Sequence, residues 1–318
     1  MDAQGMEIIF PGPMTTVQDG GRYGRQKYGI GPSGVMDEKA YRQANYLVGN
    51  AGTEAVLEAT LMGPTICFLQ DTVCAVTGAD MKPELDGEPV GMKRAVWIRK
   101  GQTLRLAMAA EGCRSYLAFA GGITVPEVLG SRSTNLKCRM GGFEGRKLEK
   151  GDILPLSKEV TDLSYYENDL KNRKVNAAVY PHEISVRVIP GPQDAYFTKK
   201  GWKTFLTTTY TVSVNSDRMG CRLEGEVIEA KNGTDIVSDG IVDGSIQITA
   251  GGLPIILLAD RQTTGGYAKI ATVVSEDLPK LAQVRPGDKI AFQKTACPGK
   301  FILGRRKSRR EGERYESL

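Results

Sequence analysis

Residues 253–274 read LPIILLADRQTTGGYAKIATVV, and the rest of the chain is organised around them. Leu253 to Ala259 is an apolar run, too short to span a membrane and suited to a strand buried on both faces. Polarity then switches at once. Asp260, Arg261, Gln262, Thr263 and Thr264 follow, closed by Gly265 and Gly266. A second β-rich run, residues 267–274, takes the chain away again. Two buried strands would hold the polar loop rigidly. An acid, a guanidinium, an amide and two hydroxyls are thereby displayed together, with glycines that let backbone approach a ligand. The competing reading is an ordinary connecting loop. The density of capable side chains favours a site, and so does a second such loop near the N-terminus.

That second region holds TTVQDGGRYG (15–24) and GIGPSGVMD (29–37). Gly29, Gly31 and Gly34 make a formal GxGxxG, but RQKY precedes it where a dinucleotide fold needs a hydrophobic strand, and Pro32 sits inside it. A helix follows instead. Met36, Ala40, Ala44, Leu47 and Val48 fall at helical spacing, Asp37 suits the N-cap and Gly49-Asn50 the stop. Its N-terminus could receive an anion unless Asp37 fills that role.

The 318 residues suffice for two domains of ordinary size. Hydrophobic content is 41% and charged content 25%, which permits a normal core. The 38 glycines, with few long helical patterns, indicate many turns between short strands. From Ala55 onward short apolar runs alternate with Gly, Pro and Asp turns, Asp86-Gly87 being the clearest hairpin signal. The charged stretch around ENDLKNRK reads as a linker. The expected organisation is a first β domain over 1–156, a linker over 157–180, a second β domain over 181–300 and a basic, disordered tail over 301–318.

Six cysteines form no CxxC pair, so no metal site is expected and the thiols read as reduced, in a cytoplasmic protein. The single histidine, His182, argues against a Ser-His-Asp triad. Net charge is +5, of which the tail beyond Gly304 supplies +3, six Arg/Lys against three Glu. The remaining body is nearly neutral, which implies no nucleic-acid surface, and RRKSRR (305–310) reads as a solvated tail. The start of the chain lacks a signal-peptide pattern, and no run is long enough for a transmembrane helix.

TTVQDGGRYG, PSGVMD, ANYLVGN, AVTGAD, AGGITVPEVLGSRST, IPGPQDAYF, NSDRMGCRLEG and ILLADRQTTGGYAKIATV occur in that order. Together they resemble the biotin-dependent carboxyltransferase-like family known as allophanate hydrolase subunit 2, closest to the branch that holds the C subunits of 5-oxoprolinase. The resemblance implies a mainly β chain of two cyclophilin-like β-barrel domains with a few short helices. It implies a partner of the subunit 1 or B type, a third 5-oxoprolinase component, and a site near the shared interface. The implied activity is ATP-dependent (with Mg) opening of 5-oxoproline to glutamate by a complex whose single chains are inactive alone. An amide is a poor electrophile, and phosphorylating its oxygen supplies a leaving group. Free length favours this over the alternative, a biotin-dependent carboxyltransferase component acting on urea or a related amide. The third reading is a regulator that binds a kinase inhibitor. No Walker A motif, GxxxxGK[ST], and no biotin-carrier lysine motif is present, so ATP would bind by a different loop or largely on the partner, and biotin would be received from elsewhere.

The expected catalytic residues are Asp260, as amide-hydrogen acceptor or base, and Arg261, as carboxylate or phosphate ligand. Gln262, Thr263, Thr264, Gly265 and Gly266 would complete substrate binding. Gln18, Asp19, Arg22, Ser33 and Asp37 form the second group of candidates. Lys269 either faces the site or alternates to solvent. Ser216, Asp217 and Arg218 make a polar cluster whose plainer reading is a turn with a surface salt bridge.

Overall fold

The computed structural model describes residues 4–157, 160, 163–176 and 178–296. The basic stretch 305–310 and Cys297 lie outside the described residues. The chain is mainly β with short helices, as expected.

The first half builds two sheets. One runs in the order Ile153–Leu154, Met6–Phe10, Thr65–Phe68, Thr103–Arg105, Glu84–Leu85, Glu88–Pro89. The other runs Thr15–Gln18, Val56–Thr60, Glu111–Phe119, Thr72–Asp80, Ala95–Ile98. Asp86-Gly87 makes the expected hairpin turn, with φ of 51° and 87°, a conformation that suits paired positive-φ residues between twisted strands.

Strand alternation explains why the five-stranded sheet is buried on both faces. Leu57, Ala59, Cys74, Val76, Leu117 and Phe119 point into a core shared with Ile8, Ile66 and Phe68 of the other sheet. The opposite set, Val56, Val73, Ala75, Tyr116 and Ala118, meets the helix Glu38–Leu47 through Ala40, Tyr41, Ala44 and Leu47. Asp37 is the N-cap, its carboxylate accepting from the Ala40 amide at 2.9 Å. The capping acid therefore takes the place an anionic ligand would have occupied. Val160 and Leu170, within the stretch expected to be a linker, are buried against this helical layer.

The second half closes into a seven-stranded barrel. The order is Glu183–Pro190, Lys269–Val273, Ser245–Ile248, Pro254–Leu257, Gly220–Glu224, Tyr210–Val212 and Lys289–Lys294, the last pairing in parallel with the first. Phe205, from the helix Lys199–Thr207, stacks on Phe292 at 4.4 Å between ring centroids. The run expected at 267–274 is divided. Lys269–Val273 lies in the barrel wall, whereas Thr264–Tyr267 leaves it to pair with Asp235–Gly240. Thr264, Gly265 and Gly266 are thus strand residues rather than loop. Glycine suits position 265 because a side chain there would strike Ile241 and Gln247.

Asp277 ties the barrel strand Glu183–Pro190 to the turn that follows Val274. Its carboxylate accepts from the Arg187 backbone amide at 2.8 Å and from the Arg187 side chain at 2.9 and 3.1 Å. Burial pushes this carboxyl up, but the bonds from Arg187 and Lys280 outweigh that and hold it at about 2. A depressed pKa stabilises the fold above the ordinary carboxylate value of 3.8, and the contribution is lost as pH falls towards 2. Asp277→Asn should cost about 2 kcal/mol at neutral pH and flatten the acid limb of the stability curve between those values, read by urea unfolding across pH.

Candidate functional site at the junction of the halves

Glu58 sits in a strand whose neighbours are apolar, on the face that meets the capped helix. Its side chain is 1% exposed. One carboxylate oxygen accepts from the Met36 amide at 2.8 Å and the other from Arg218. Arg218 comes from the second half and is itself buried. Its Nε donates to Asp260 at 2.8 Å, and Nη2 to the other Asp260 oxygen at 3.3 Å and to the Gly34 carbonyl at 2.6 Å. Burial alone would push this guanidinium down in pKa, but Asp260 and Glu58 push it further up, so it stays charged. One arginine thereby joins the strand of Glu58, the glycine-rich turn and the Asp260 turn. The reading of Arg218 as part of a surface salt bridge is corrected: the cation is buried, with two carboxylates.

Beside it, Gln283 spans the halves. Its Oε1 accepts from the Cys113 and Arg114 amides, both at 3.0 Å, and its Nε2 donates to Asp37 at 2.9 Å. Arg114 donates to the Ala282 carbonyl at 2.6 Å. Gly31 packs so close to the Arg261 carbonyl that a Cβ would lie 3.0 Å from it. The two regions singled out in sequence are therefore one place in space.

The candidates within that place differ in their availability. Asp19 is saturated: Ser131 and Ser133 hydroxyls each donate at 2.6 Å, the Arg132 amide at 2.6 Å and the Gly21 amide at 2.9 Å. Arg22 is 1% exposed and donates to the carbonyls of Ser133 and Val128. Burial lowers its pKa, against the opposing charges of Asp19 and Asp260. Ser33, at φ 53°, accepts from Asn135 at 3.0 Å. Gln18 donates to Thr16 and to the Thr134 carbonyl. These residues, with the cap Asp37, build the wall. Asp260 has both oxygens committed to Arg218 and accordingly holds the turn in place.

Arg261 is the less committed cation. Its Nη1 reaches the Leu258 carbonyl at 3.1 Å and Asp243 at 3.5 Å, and its buried Nε has no hydrogen-bond partner. Gln18 Oε1, Arg22 Nη1 and the Tyr41 hydroxyl are likewise buried and unpartnered. Such atoms mark positions where water or a ligand completes the bonding. Gln262 and Thr264 are exposed, Thr263 and Gly266 half-buried, and Gly265 buried. Lys269 is not solvent-facing. It is 2% exposed, and its Nζ lies 2.9 Å from Asp239, which Gln193 also holds at 3.2 Å. That ion pair keeps the Asp239 carboxyl below its ordinary value.

Glu58, Arg114 and Gln283 were not among the sequence candidates. Glu58 left one signal, a lone acid within VLEAT; the other two left none, because the groups they meet are distant in the chain.

The family of carboxyltransferase domains, subdomains A and B, matches residues 28–294. The chain belongs to this carboxyltransferase family. It is 38% identical over 310 residues to the C subunit of the Escherichia coli 5-oxoprolinase, covering 98% of this chain and 96% of that one. It is 38% identical to the corresponding subunit of Haemophilus influenzae over 91% of this chain and 90% of that one. It is 34% identical to the urea amidolyase of Saccharomyces cerevisiae, covering 90% of this chain but 16% of the relative. The crystal structure of the Kluyveromyces lactis urea amidolyase superposes with a TM-score of 0.85 at 31% identity, covering 93% of this chain and 19% of that one.

Removing the shared cation would strand two buried carboxylates. Arg218→Ala should destabilise the protein by about 3–5 kcal/mol in urea unfolding. Arg218→Met combined with Glu58→Leu and Asp260→Leu should recover only part of that loss, because Arg114, 3.9 Å from Glu58, is then a buried cation with no carboxylate beside it.

Proposed function

We propose that this chain is the C-type subunit of an ATP-dependent 5-oxoprolinase, inactive alone and working with a B-type partner and a third component. The supporting observation is its likeness to two bacterial 5-oxoprolinase C subunits along nearly the whole of both chains. The overall reaction phosphorylates the lactam oxygen of 5-oxoproline, after which water opens the activated ring to glutamate.

There is no GxxxxGK[ST] loop. Among the described residues, no group of three or more His, Cys, Asp or Glu side chains is disposed to hold a metal ion. ATP with its Mg serves the assembled complex, held by a different loop of this chain or largely by the partner. What this chain contributes is substrate binding. Arg261 receives the 5-oxoproline carboxylate, a planar anion matched to a guanidinium. Gln262 and Thr264 hydrogen-bond the ring amide from the exposed side. Asp260 acts by positioning: its pairing with Arg218 holds the turn that carries Arg261.

The alternative is a biotin-dependent carboxyltransferase component acting on urea or a related amide. It is favoured by the family's carboxyltransferase domains and by the urea amidolyase relatives. Here biotin would arrive on a carrier from elsewhere.

The chain co-expressed with its B-type partner and the third component should release glutamate from 5-oxoproline only when ATP and all three chains are present. In that complex Arg261→Lys should raise KM about tenfold or more while assembly is retained. An assembled complex that releases no glutamate but carboxylates urea from carboxybiotin would establish the alternative.

A further inference from the structure

The helix Lys199–Thr207 places its charge against its own dipole. Thr198 is the N-cap, and Lys199 and Lys200 stand in a first turn that holds no acid. A helix N-terminus carries partial positive charge, so cations there are unfavourable. Lys203 lies one turn beyond Lys199, and like charges at that spacing repel. A fourth cation joins from the barrel strand Lys289–Lys294, where Lys294 Nζ lies 5.1 Å from the centre of the Trp202 ring. All four lysines are exposed.

Little within the molecule balances them. Among the described residues only Lys200 of the four has a carboxylate within reach, Glu229 at 3.8 Å, and that exposed pair contributes little. The end of the chain adds to the charge, since the stretch beyond Gly304 holds six Arg/Lys against three Glu. Residues 1–304 carry only +2 net, +5 less the +3 of that tail, so the lysines are a local excess rather than a general basicity. The base beneath them is firmly packed. A side chain at Gly201 would strike the Glu229 carbonyl, and Trp202 Nε1 donates to the Asp194 carbonyl at 3.2 Å. None of the large apolar side chains of the helix or of Lys289–Lys294 is exposed. Stacking on nucleic-acid bases or insertion into lipid needs such a surface, whereas docking against carboxylates needs only the charge.

We infer that this face docks an acidic protein surface carried by another chain of the complex proposed above. The inference rests on that membership but uses none of the residues around Arg261.

The test measures binding of the full chain to the purified B-type partner and to the third component by biolayer interferometry. It is run at about 0.1 M and about 1 M salt, where charges are screened over about 10 Å and about 3 Å. Wild type should bind one of the two chains, about tenfold or more weakly at the higher salt. Lys199→Glu combined with Lys203→Glu and Lys294→Glu should weaken binding about tenfold or more at the lower salt and have little effect at the higher. The triple variant with arginine at the same three positions should bind as wild type. Melting temperatures no lower than that of wild type would show the fold intact, since acids suit a helix N-terminus. Equal binding by the glutamate variant, equal loss in the arginine variant, or binding of wild type to neither chain would each overturn the proposal. So would wild type that ignores both chains and sediments with phosphatidylglycerol vesicles or retains poly(U). Glutamate release is read separately on the same complexes. A salt-sensitive complex that the glutamate variant disrupts, but that releases no glutamate, would support this docking face and overturn the oxoprolinase reading.

Discussion

A single buried guanidinium, Arg218, is the constraint on which the junction of this molecule rests. It draws one carboxylate from each half, Glu58 and Asp260, and the backbone carbonyl of Gly34 into contact. A charge so placed is costly to bury, and a buried ion pair by itself adds little net stability. What an apolar cluster would lack is direction. The planar fork of arginine bonds only when its acceptors lie in fixed places. The ion cluster therefore sets how the Asp260 turn meets the glycine-rich turn, which hydrophobic contact alone would leave loosely specified.

The same logic runs through the Asp19 turn. Four donors converge on one carboxylate, and three of them come from residues 131–133, more than a hundred positions away. A loop as rich in glycine as residues 20–34 has much backbone entropy to lose. Closing it onto a charge-assisted set of hydrogen bonds offsets that loss. Asp19 and Asp37, which look like substrate ligands in sequence, are here used up in holding the wall still. Capacity is left over on Arg261 Nε, Gln18 Oε1 and Arg22 Nη1, which have no partner, and on the exposed Gln262 and Thr264.

Much of this is legible in the sequence. The β-rich character, the helix after Asp37, the Asp86-Gly87 hairpin and the importance of 253–274 all follow from local signals: periodicity, capping chemistry and turn residues. The resemblance to a family is carried by motifs long enough to be specific. Pairing across the halves is not legible. Nothing near Arg218 in sequence distinguishes a buried arginine from a surface one, because its burial is conferred by Glu58 and Gly34. The division of the run after Gln262 escapes the sequence for a related reason. YAKIATVV reads as one strand by composition, and the pairing of Tyr267 with Asp235 draws its first residue away from the barrel.

That division has a consequence for Lys269. Lys269 opens the barrel strand two residues after Tyr267. The short pair of strands formed by Asp235–Gly240 and Thr264–Tyr267 supplies Asp239, which meets Nζ and leaves the lysine 2% exposed. Lysine is strongly hydrated, so covering it without a carboxylate would be unfavourable, and Asp239 is the feature that makes the cover possible. The residues that flank the candidate site are thus secured at both ends by ion pairs: Asp260 on Arg218 before it and Lys269 on Asp239 after it. Between those anchors Gln262 and Thr264 are exposed and Arg261 is buried, on backbone tethered at both ends, which is how a rigid scaffold fixes the geometry of a few polar side chains.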